Sequence, residues 1–181
     1  MKNTYFSSDW HLGHSNILKY DNRPFSSIEE HDAEILRLHN LTVGKNDDFY
    51  FLGDFCFGRP EYAEEFLQKM NGNKFFIWGN HDKHMVPLYK KYGQYLEKME
   101  IIKIEGQEIT LSHFAMRVWN RSHLGTFMCY GHSHDALETT PWGKSMDVGV
   151  QSAYRLFGEY RPFSFEEIKN ILDQRETLTH H

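Results

Sequence analysis

Short apolar runs that end in polar residues recur through the first half of the chain. Residues 3–8, 47–54 and 74–82 read NTYFSS, DDFYFLGD and KFFIWGNHD. Apolar runs of this length between polar boundaries are typical of buried β-strands. The two segments that separate them, 26–41 and 60–70, repeat their apolar residues at the spacing of a helix. The first half therefore predicts strands and helices in alternation.

The segment 26–41 carries its own helix signals. Ser27 is the expected N-cap, and Glu30 three positions later completes a capping box. The stripe expected to face the core is Ile28, Ile35, Leu38 and Leu41. The histidines of this segment, His31 and His39, and His84 further along the chain are expected on helix surfaces.

From residue 97 onward the pattern changes to alternation of apolar and polar positions. Residues 97–113 alternate around Gly106, which predicts a β-hairpin that turns there. Residues 125–134 and 144–150 predict two further strands. The second half is therefore expected to be rich in β-structure.

A last helix is expected near the end of the chain, where Ser164 and Glu167 form a second capping-box pattern. No repeat, linker or low-complexity segment divides the sequence. We therefore expect residues 1–181 to form one mixed α/β domain, with two packed sheets and helices outside them.

Net charge and cysteine content argue against a nucleic-acid-binding protein and against a disulfide-stabilised one. The formal net charge is -5 over 181 residues, and this acidic balance argues against a large nucleic-acid-binding face, which is usually basic. The two cysteines, Cys56 and Cys129, predict small buried side chains in a reducing compartment rather than a disulfide framework. His180 and His181 end the chain and are set aside as a candidate purification tag.

Membrane attachment is not expected. The opening segment MKNTYFSSDWHLGH lacks the apolar stretch of a secretory signal, and no run approaches the roughly 20 apolar residues of a membrane span. We therefore expect a cytoplasmic protein with no membrane partner. The sequence leaves open a monomer or a small homo-oligomer.

Chemically reactive residues cluster where the predicted strands end. The clusters are Asp9-x-His11, Gly53-Asp54, Gly79-Asn80-His81-Asp82, His113 and Gly131-His132-x-His134. In open α/β sheets, ligands bind just outside the carboxyl ends of the strands, so these strand ends could deliver their side chains to one place. Residues two apart on a strand point the same way, so each i, i+2 pair can present two donors to one cavity.

The combined donor set predicts a metal site. It contains carboxylates, imidazoles and one amide but no thiolate, from Asp9, His11, Asp54, Asn80, His113, His132 and His134. A mixed nitrogen and oxygen set suits Mn, Fe, Ni, Co or Zn and is too rich in nitrogen for Ca. Seven donors exceed one tetrahedral ion and suit two divalent ions that share a carboxylate. Each cluster alone could be chance or turn chemistry, but all of them in one chain favour metal binding.

Two ions about 3.5–4 Å apart fit phosphoester hydrolysis, because they hold phosphate oxygens and generate a hydroxide nucleophile near neutral pH. The leaving group then needs a proton. His81, next to Asn80, is the predicted donor, and Asp82 is predicted to orient or charge it. Asp147 is expected to support a ligating histidine.

As an ordered set over residues from about 4 to 150, these clusters resemble the calcineurin-like metallophosphoesterase superfamily. The likeness is greatest to small stand-alone bacterial or phage phosphoesterases with DxHLGH near the N-terminus. The resemblance implies a four-layer α/β/β/α sandwich of two mixed β-sheets flanked by helices. It implies one ion held by Asp9, His11 and His134, and a second held by Asn80, His113 and His132. It also implies that Asp54 bridges the ions and that His81 is the general acid.

Two departures from the family narrow the expected function. Residues 53–61 read GDFCFGRPE and lack the Asp-Arg-Gly of the protein-phosphatase branch, which argues against a protein phosphatase. The small size leaves no room for a cap domain, so an open site is expected. An open site suits a diester better than a deeply enclosed monoester. We therefore expect a phosphodiesterase, with manganese as the first candidate metal, acting on a (cyclic) nucleotide or another small diester.

Other functions stay open. A phosphomonoesterase acting on a small phosphorylated metabolite would use the same donors. A non-catalytic metal-binding scaffold of this fold tends to lose ligands or the catalytic histidine, and here all of them are present. A nuclease would act on polymeric nucleic acid, but the net charge of -5 argues against it and against a stable nucleic-acid complex.

Several further residues are predicted near the substrate. His14 could contact the phosphate or the leaving group, or cap the next helix. Arg117 and Arg121 follow His113 and could clamp a phosphate oxygen, or could be solvated. Trp119 and Trp142 lie in predicted loops and are candidates for stacking on a nucleobase.

Overall fold

The computed structural model describes residues 2–179, so His180 and His181 lie outside the described residues. Two mixed β-sheets are flanked by helices, which confirms the predicted fold class. The strands are β1 Thr4–Ser7, β2 Asp48–Phe51, β3 Asn73–Phe76, β4 Gln94–Tyr95, β5 Met99–Ile104, β6 Gln107–Ser112, β7 Phe127–Tyr130, β8 Ser145–Asp147 and β9 Phe163–Ser164. The helices are α1 Ile17–Tyr20, α2 Ile28–Thr42, α3 Pro60–Lys69, α4 Val86–Tyr92, α5 Val150–Phe157 and α6 Phe165–Asp173.

The first sheet has the strand order β4-β3-β2-β1-β9, and the second has β5-β6-β7-β8. In the first sheet, β1 to β4 are parallel and only β9 runs antiparallel, beside β1. In the second sheet, β5 and β6 form the predicted hairpin, and β7 and β8 run parallel to β6. Glu105 and Gly106 close the hairpin with positive φ angles of 50° and 88°. The parallel strands all end at the edge where the predicted site lies.

Alternation along the strands separates the hydrophobic cores. In β2, Phe49 and Phe51 face α2, α3 and α4, while Tyr50 faces the second sheet. The core between the sheets contains residues of both, including Phe6, Leu111 and Cys129. On the opposite face of β7, Met128 and Tyr130 pack with Trp119. Cys56 and Cys129 are free and buried, as predicted.

The two predicted capping boxes differ in outcome. At α6, both bonds form, because Ser164 accepts from the backbone of Glu167 and Glu167 accepts from the backbone of Ser164. At α2, Ser27 accepts from the backbone of Glu30 at 3.2 Å. The Glu30 carboxylate instead accepts from the backbone N–H of Ser26 at 2.9 Å. The start of α2 is therefore as predicted, while its second capping bond is shifted by one residue.

The buried face of α2 differs from the predicted stripe. Leu41 is 74% exposed, so its assignment to the core was wrong. His31 and His39 are fully buried, so their assignment to the surface was also wrong. Both histidines have partners: Asp32 lies 2.6 Å from His31 Nδ1, and His39 Nε2 donates to the Asn71 carbonyl oxygen at 3.1 Å. Helical spacing correctly placed Ile35 and Leu38 in the core, but it did not identify the two polar side chains that are buried beside them.

Burial of His39 predicts a pH-dependent loss of stability. Burial lowers the pKa of His39 from 6.5 to about 4. Between these values the unfolded chain takes up a proton that the folded chain excludes, so stability falls as the pH falls from 6.5 towards 4. At about 1.4 kcal/mol per pKa unit, the full effect is about 3 kcal/mol. Denaturant unfolding across this range should show a steeper loss for the wild type than for His39→Gln. Parallel pH profiles would contradict the prediction.

Within residues 2–179, no helix combines the length and the apolar character needed to cross a bilayer.

Candidate metal centre

The ends of five strands bring the predicted donors together at one edge of the molecule. Asp9, Asp54 and Asn80 follow the adjacent parallel strands β1, β2 and β3. His113 and His132 follow β6 and β7, which are adjacent and parallel in the second sheet. The sheets meet here, because a parallel bridge joins Ser8 after β1 to Gly149 after β8. Parallel strand order thus explains why residues so distant in sequence share one site.

The first donor group consists of Asp9, His11 and His134. The Nε2 atoms of His11 and His134 are 3.1 Å apart. Asp9 Oδ1 lies 3.7 Å from each of these nitrogens and, within the described residues, is buried without a hydrogen-bond partner. His134 donates its other nitrogen, Nδ1, to Asp21 at 2.7 Å, so its Nε2 carries a lone pair in the neutral ring. An orphaned carboxylate oxygen and facing imidazole nitrogens fit a divalent cation.

The second donor group consists of Asp54, His113 and His132, with Asn80 beside it. His113 Nδ1 donates to the Leu52 carbonyl oxygen at 2.7 Å. Its Nε2 lies 3.0 Å from Asn80 Oδ1 and 3.5 Å from Asp54 Oδ2. Burial disfavours the imidazolium, but Asp54 and Asp9 outweigh it and raise the pKa of His113 to about 9. The surrounding carboxylates therefore stabilise a cation at this position, where a metal ion would have to displace the proton on Nε2.

Asp54 lies between the two groups. Its Oδ2 is 3.9 Å from His11 Nε2 and 3.5 Å from His113 Nε2, one in each group. Its Oδ1 accepts from the backbone N–H of His81 at 3.0 Å. Burial acts to raise the pKa of Asp54, but His113 and the backbone N–H of His81 hold it below its usual value. Among the seven predicted donors, this placement fits the carboxylate expected to serve both ions.

Left-handed backbone, rather than strand alternation, aims the ligands. The strands end before the donors begin, and five donors have positive φ angles. They are Asp9 at 58°, His11 at 54°, Asp54 at 60°, His132 at 66° and His134 at 46°. Each such residue costs about 1 kcal/mol or more, because Cβ crowds the backbone. The two side chains of each predicted i, i+2 pair do converge, but a strained backbone brings them together. Strain at several neighbouring residues is typical of a functional site.

A buried network behind the first donor group was missed by the sequence analysis. Arg23 donates to Asp21 at 2.8 Å and to the Asp9 carbonyl oxygen at 3.0 Å. Asp21 in turn accepts from His134. Arg23 therefore fixes the backbone of one donor and the imidazole of another. In the sequence, these two residues appear only as the charged pair of Asp21-Asn22-Arg23, and such pairs are too common to indicate support of a metal site.

His81 and Asp82 have different surroundings. The His81 side chain is 45% exposed, and its Nε2 lies 4.0 Å from Asp54 Oδ2. Asp82 is buried, and its carboxylate accepts from the backbone N–H groups of Asp54, Gly79 and Phe55. Burial raises the pKa of Asp82 to about 6. Asp82 thus ties together the loops that follow β2 and β3, rather than orienting the His81 ring as the sequence analysis expected.

Of the remaining residues predicted near the substrate, His14 lies beside the donor groups, whereas the two arginines contact other side chains. His14 lies beside the centre, with its ring centroid 5.9 Å from that of His11. Arg117 lies over the ring of Trp142 at 4.9 Å, and Arg121 pairs with Glu108 at 3.7 Å. Trp119 is buried and donates to the Thr126 carbonyl oxygen, so its proposed stacking role was wrong.

The supporting side chain expected at Asp147 contacts the loop rather than a histidine ring. Its Oδ2 accepts from the Ser133 hydroxyl at 2.5 Å and from the Asp135 backbone N–H at 3.0 Å. These bonds hold both ends of His134 in the segment that follows β7. Asp147 therefore supports His134 indirectly, by fixing the two residues that flank it.

Gly131 leaves the space that the Asp9 carboxylate occupies. A Cβ at this position would lie 2.5 Å from Asp9 Oδ2 and would also clash with Ser8. Gly131→Ala is expected to displace Asp9 and weaken metal binding by about tenfold or more, measured by calorimetric titration. Gly44→Ala is the matched control, because Gly44, like Gly131, has no positive φ angle and its Cβ would meet only the flexible Asp47 side chain in the loop before β2. Equal metal affinity in the two variants would contradict this prediction.

Comparisons with known proteins agree with this geometry. The sequence matches the family model of the calcineurin-like phosphoesterases over residues 3–171. An uncharacterized protein of Methanocaldococcus jannaschii is 32% identical over 185 residues, covering 98% of this chain and 96% of that protein. The Gene 66 protein of Mycobacterium phage L5 is 27% identical over 166 residues, covering 76% of this chain and 80% of the phage protein.

A solved structure supports the same fold. A protein of unknown function from Aquifex aeolicus superposes with a TM-score of 0.73 at 24% identity, over 94% of this chain and 100% of that chain. The family match spans most of the chain and includes every donor described above. The resemblance predicted from the strand-end clusters is thereby confirmed: the chain belongs to the calcineurin-like phosphoesterase family.

Proposed function

We propose that this metal-dependent phosphoesterase hydrolyses a small phosphodiester, with His81 as the general acid. The observation that carries the choice of a diester is that Arg23 beside the centre, and the predicted substrate residues Arg117 and Arg121, already have partners. Arg23 is buried against Asp21 and backbone carbonyls, and Arg117 and Arg121 are engaged by Trp142 and Glu108. Arginine binds phosphate oxygens through strong, often bidentate hydrogen bonds, so a dianionic monoester would gain more from free arginines than a monoanionic diester would.

In this proposal, Asp9, His11 and His134 would hold one divalent ion, and Asn80, His113 and His132 would hold the other. Asp54, which lies between the two groups, would serve both. When bound, two such ions neutralise charge on the phosphoryl oxygens and make water a better nucleophile. The donor set suits a transition metal such as Mn, Fe, Ni, Co or Zn.

The chain's own residues perform the remaining steps. The exposed His81 imidazole faces the side of the centre open to solvent and donates a proton to the departing oxygen. Asp82 holds the loop that carries it by binding backbone N–H groups on both sides. His14, which lies on the same side, contacts the phosphate or the leaving group.

A substrate panel tests the proposal. The Mn-loaded protein is assayed on bis(4-nitrophenyl) phosphate, 4-nitrophenyl phosphate, and 2′,3′- and 3′,5′-cyclic nucleotides. We expect kcat/KM for the diester to exceed that for the monoester by about tenfold or more, a difference of about 1.4 kcal/mol in transition-state stabilisation. Preference for the monoester would favour the phosphomonoesterase. No hydrolysis of any substrate by protein with both ions bound would favour the non-catalytic scaffold.

A further inference from the structure

A row of aromatic rings leads away from His81. The ring centroid of Phe57 lies 4.3 Å from that of His81. Phe57 also stacks on His14, with centroids 4.3 Å apart and an interplanar angle of 11°. His14 meets Tyr20 edge-on at 6.0 Å. We call Phe57, His14 and Tyr20 the aromatic row.

The row faces water although two of its members are large and apolar. Phe57 is 39% exposed and Tyr20 is 71% exposed. Single exposed aromatic residues are ordinary, but a contiguous exposed group beside a catalytic centre marks a binding surface. The row is also fixed in place, because the Phe57 backbone N–H donates to the Leu12 carbonyl oxygen at 2.9 Å, next to His11.

The position of the row places it on the side of the centre where the leaving group departs. His81 lies at the end of the row and 4.0 Å from Asp54 Oδ2, so the row begins where the protonated leaving group departs. Phe114 is similarly exposed at 42%, but it contacts His132 and His113 of the other donor group. Of these two exposed groups, the row is the one that adjoins the general acid, and Phe57 also lies 5.1 Å from His11 of the first donor group, between ring centroids.

We propose that the aromatic row is a leaving-group subsite for a nucleobase, so that the substrate is a diester whose departing alcohol is a nucleoside. The inference rests on the proposed function of the same site. Aromatic rings bind the faces and edges of bases without regard to sequence. An uncharged base also suits this acidic chain better than a second phosphate would.

The reaction balances with water as the only co-reactant. Water adds to phosphorus, and the bond from phosphorus to the nucleoside oxygen breaks. That oxygen takes the proton of His81 and leaves as the nucleoside hydroxyl. His81 regains a proton from solvent, which receives the one released by the attacking water. The other substituent stays on the phosphate as a monoester.

Adenosine 5′-methyl phosphate tests the subsite by the bond that is broken. Its two ester bonds lead to alkyl oxygens of similar leaving ability, so the products report which substituent occupies the row. The Mn-loaded wild type is expected to release adenosine and methyl phosphate about tenfold more than adenosine monophosphate and methanol. Phe57→Leu should bring the ratio close to one, whereas Phe57→Tyr should keep the preference. Phe114→Leu, which removes an equally exposed ring elsewhere, should keep the wild-type ratio.

The failures are distinguishable. An even wild-type ratio, or a ratio that Phe57→Leu does not change, overturns the subsite. Hydrolysis of bis(4-nitrophenyl) phosphate without release of adenosine overturns the subsite alone. No hydrolysis of either diester by protein with both ions bound overturns the proposed function as well.

A binding measurement needs no turnover. Saturation-transfer NMR with adenosine on the metal-free protein is expected to show transfer to the base protons in the wild type and in Phe57→Tyr. The signal should fall several-fold in Phe57→Leu, with circular dichroism confirming that this variant is folded. Equal transfer to all three proteins would contradict the inference.

Discussion

Asp54→Ala is expected to lose both metal ions and catalytic activity together. The Oδ2 atom of Asp54 faces His11 of one donor group and His113 of the other. In the proposed arrangement, its removal would take one ligand from each ion and would leave the remaining donors with less negative charge. If the ions supply about 4 kcal/mol of transition-state stabilisation, kcat/KM should fall by about a thousandfold. Metal content by mass spectrometry and diester hydrolysis are measured on the same sample.

Thermal unfolding in the presence of a chelator separates metal loss from unfolding. Burial acts to raise the pKa of Asp54, but His113 holds it below its usual value, so the ionised carboxylate stabilises the metal-free fold. Metal-free Asp54→Ala should therefore unfold at a somewhat lower temperature than the metal-free wild type, but still from a folded state. A variant that still holds two ions would show that Asp54 does not bridge them. Loss of the folded state would show a structural role instead.

His81→Ala is expected to keep both ions and lose most activity on substrates with poor leaving groups. The His81 side chain is half-exposed and belongs to neither donor group, so metal content should be unchanged. General acid catalysis contributes on the order of a hundredfold to ten-thousandfold to rate. The loss should be large for an alkyl leaving group and small for 4-nitrophenolate, which departs without a proton. Comparison of kcat for these two kinds of diester measures the effect.

His84→Ala provides the matched control. His84 is exposed and lies three residues from His81 in the same segment, so its removal changes the histidine content without touching the centre. We expect full activity on both kinds of diester. An equal loss for both leaving groups in His81→Ala would exclude proton donation and favour a role in substrate binding.

Sequence patterns correctly predicted the features of this protein that depend on residues close together in the sequence. Parallel strands that end in Gly-Asp or Gly-Asn-His predicted where donors would meet, because carboxyl ends of adjacent parallel strands share an edge. The hairpin around Gly106 followed from alternation and turn chemistry. The short elements β4, β9 and α5 were not predicted, because two strand residues or eight helical ones carry too little periodicity to stand out.

Sequence patterns failed where long-range partners decide the environment. His39 was assigned to the surface by its polarity, yet Trp10 and Phe49 enclose it. Asp82 was assigned to a histidine by proximity in sequence, yet it binds backbone groups of two loops. The link from Arg23 through Asp21 to His134 spans more than a hundred residues, and no local pattern reports it. The backbone strain at the donors was equally invisible in the sequence.

Electron paramagnetic resonance of the protein loaded with two equivalents of Mn²⁺ is the most direct test of the dinuclear centre. Two ions that share the Asp54 carboxylate would be close enough for magnetic exchange. We expect a coupled pair in the wild type that disappears in Asp54→Ala. The hyperfine signal of isolated Mn²⁺, unchanged between the two proteins, would contradict a shared centre.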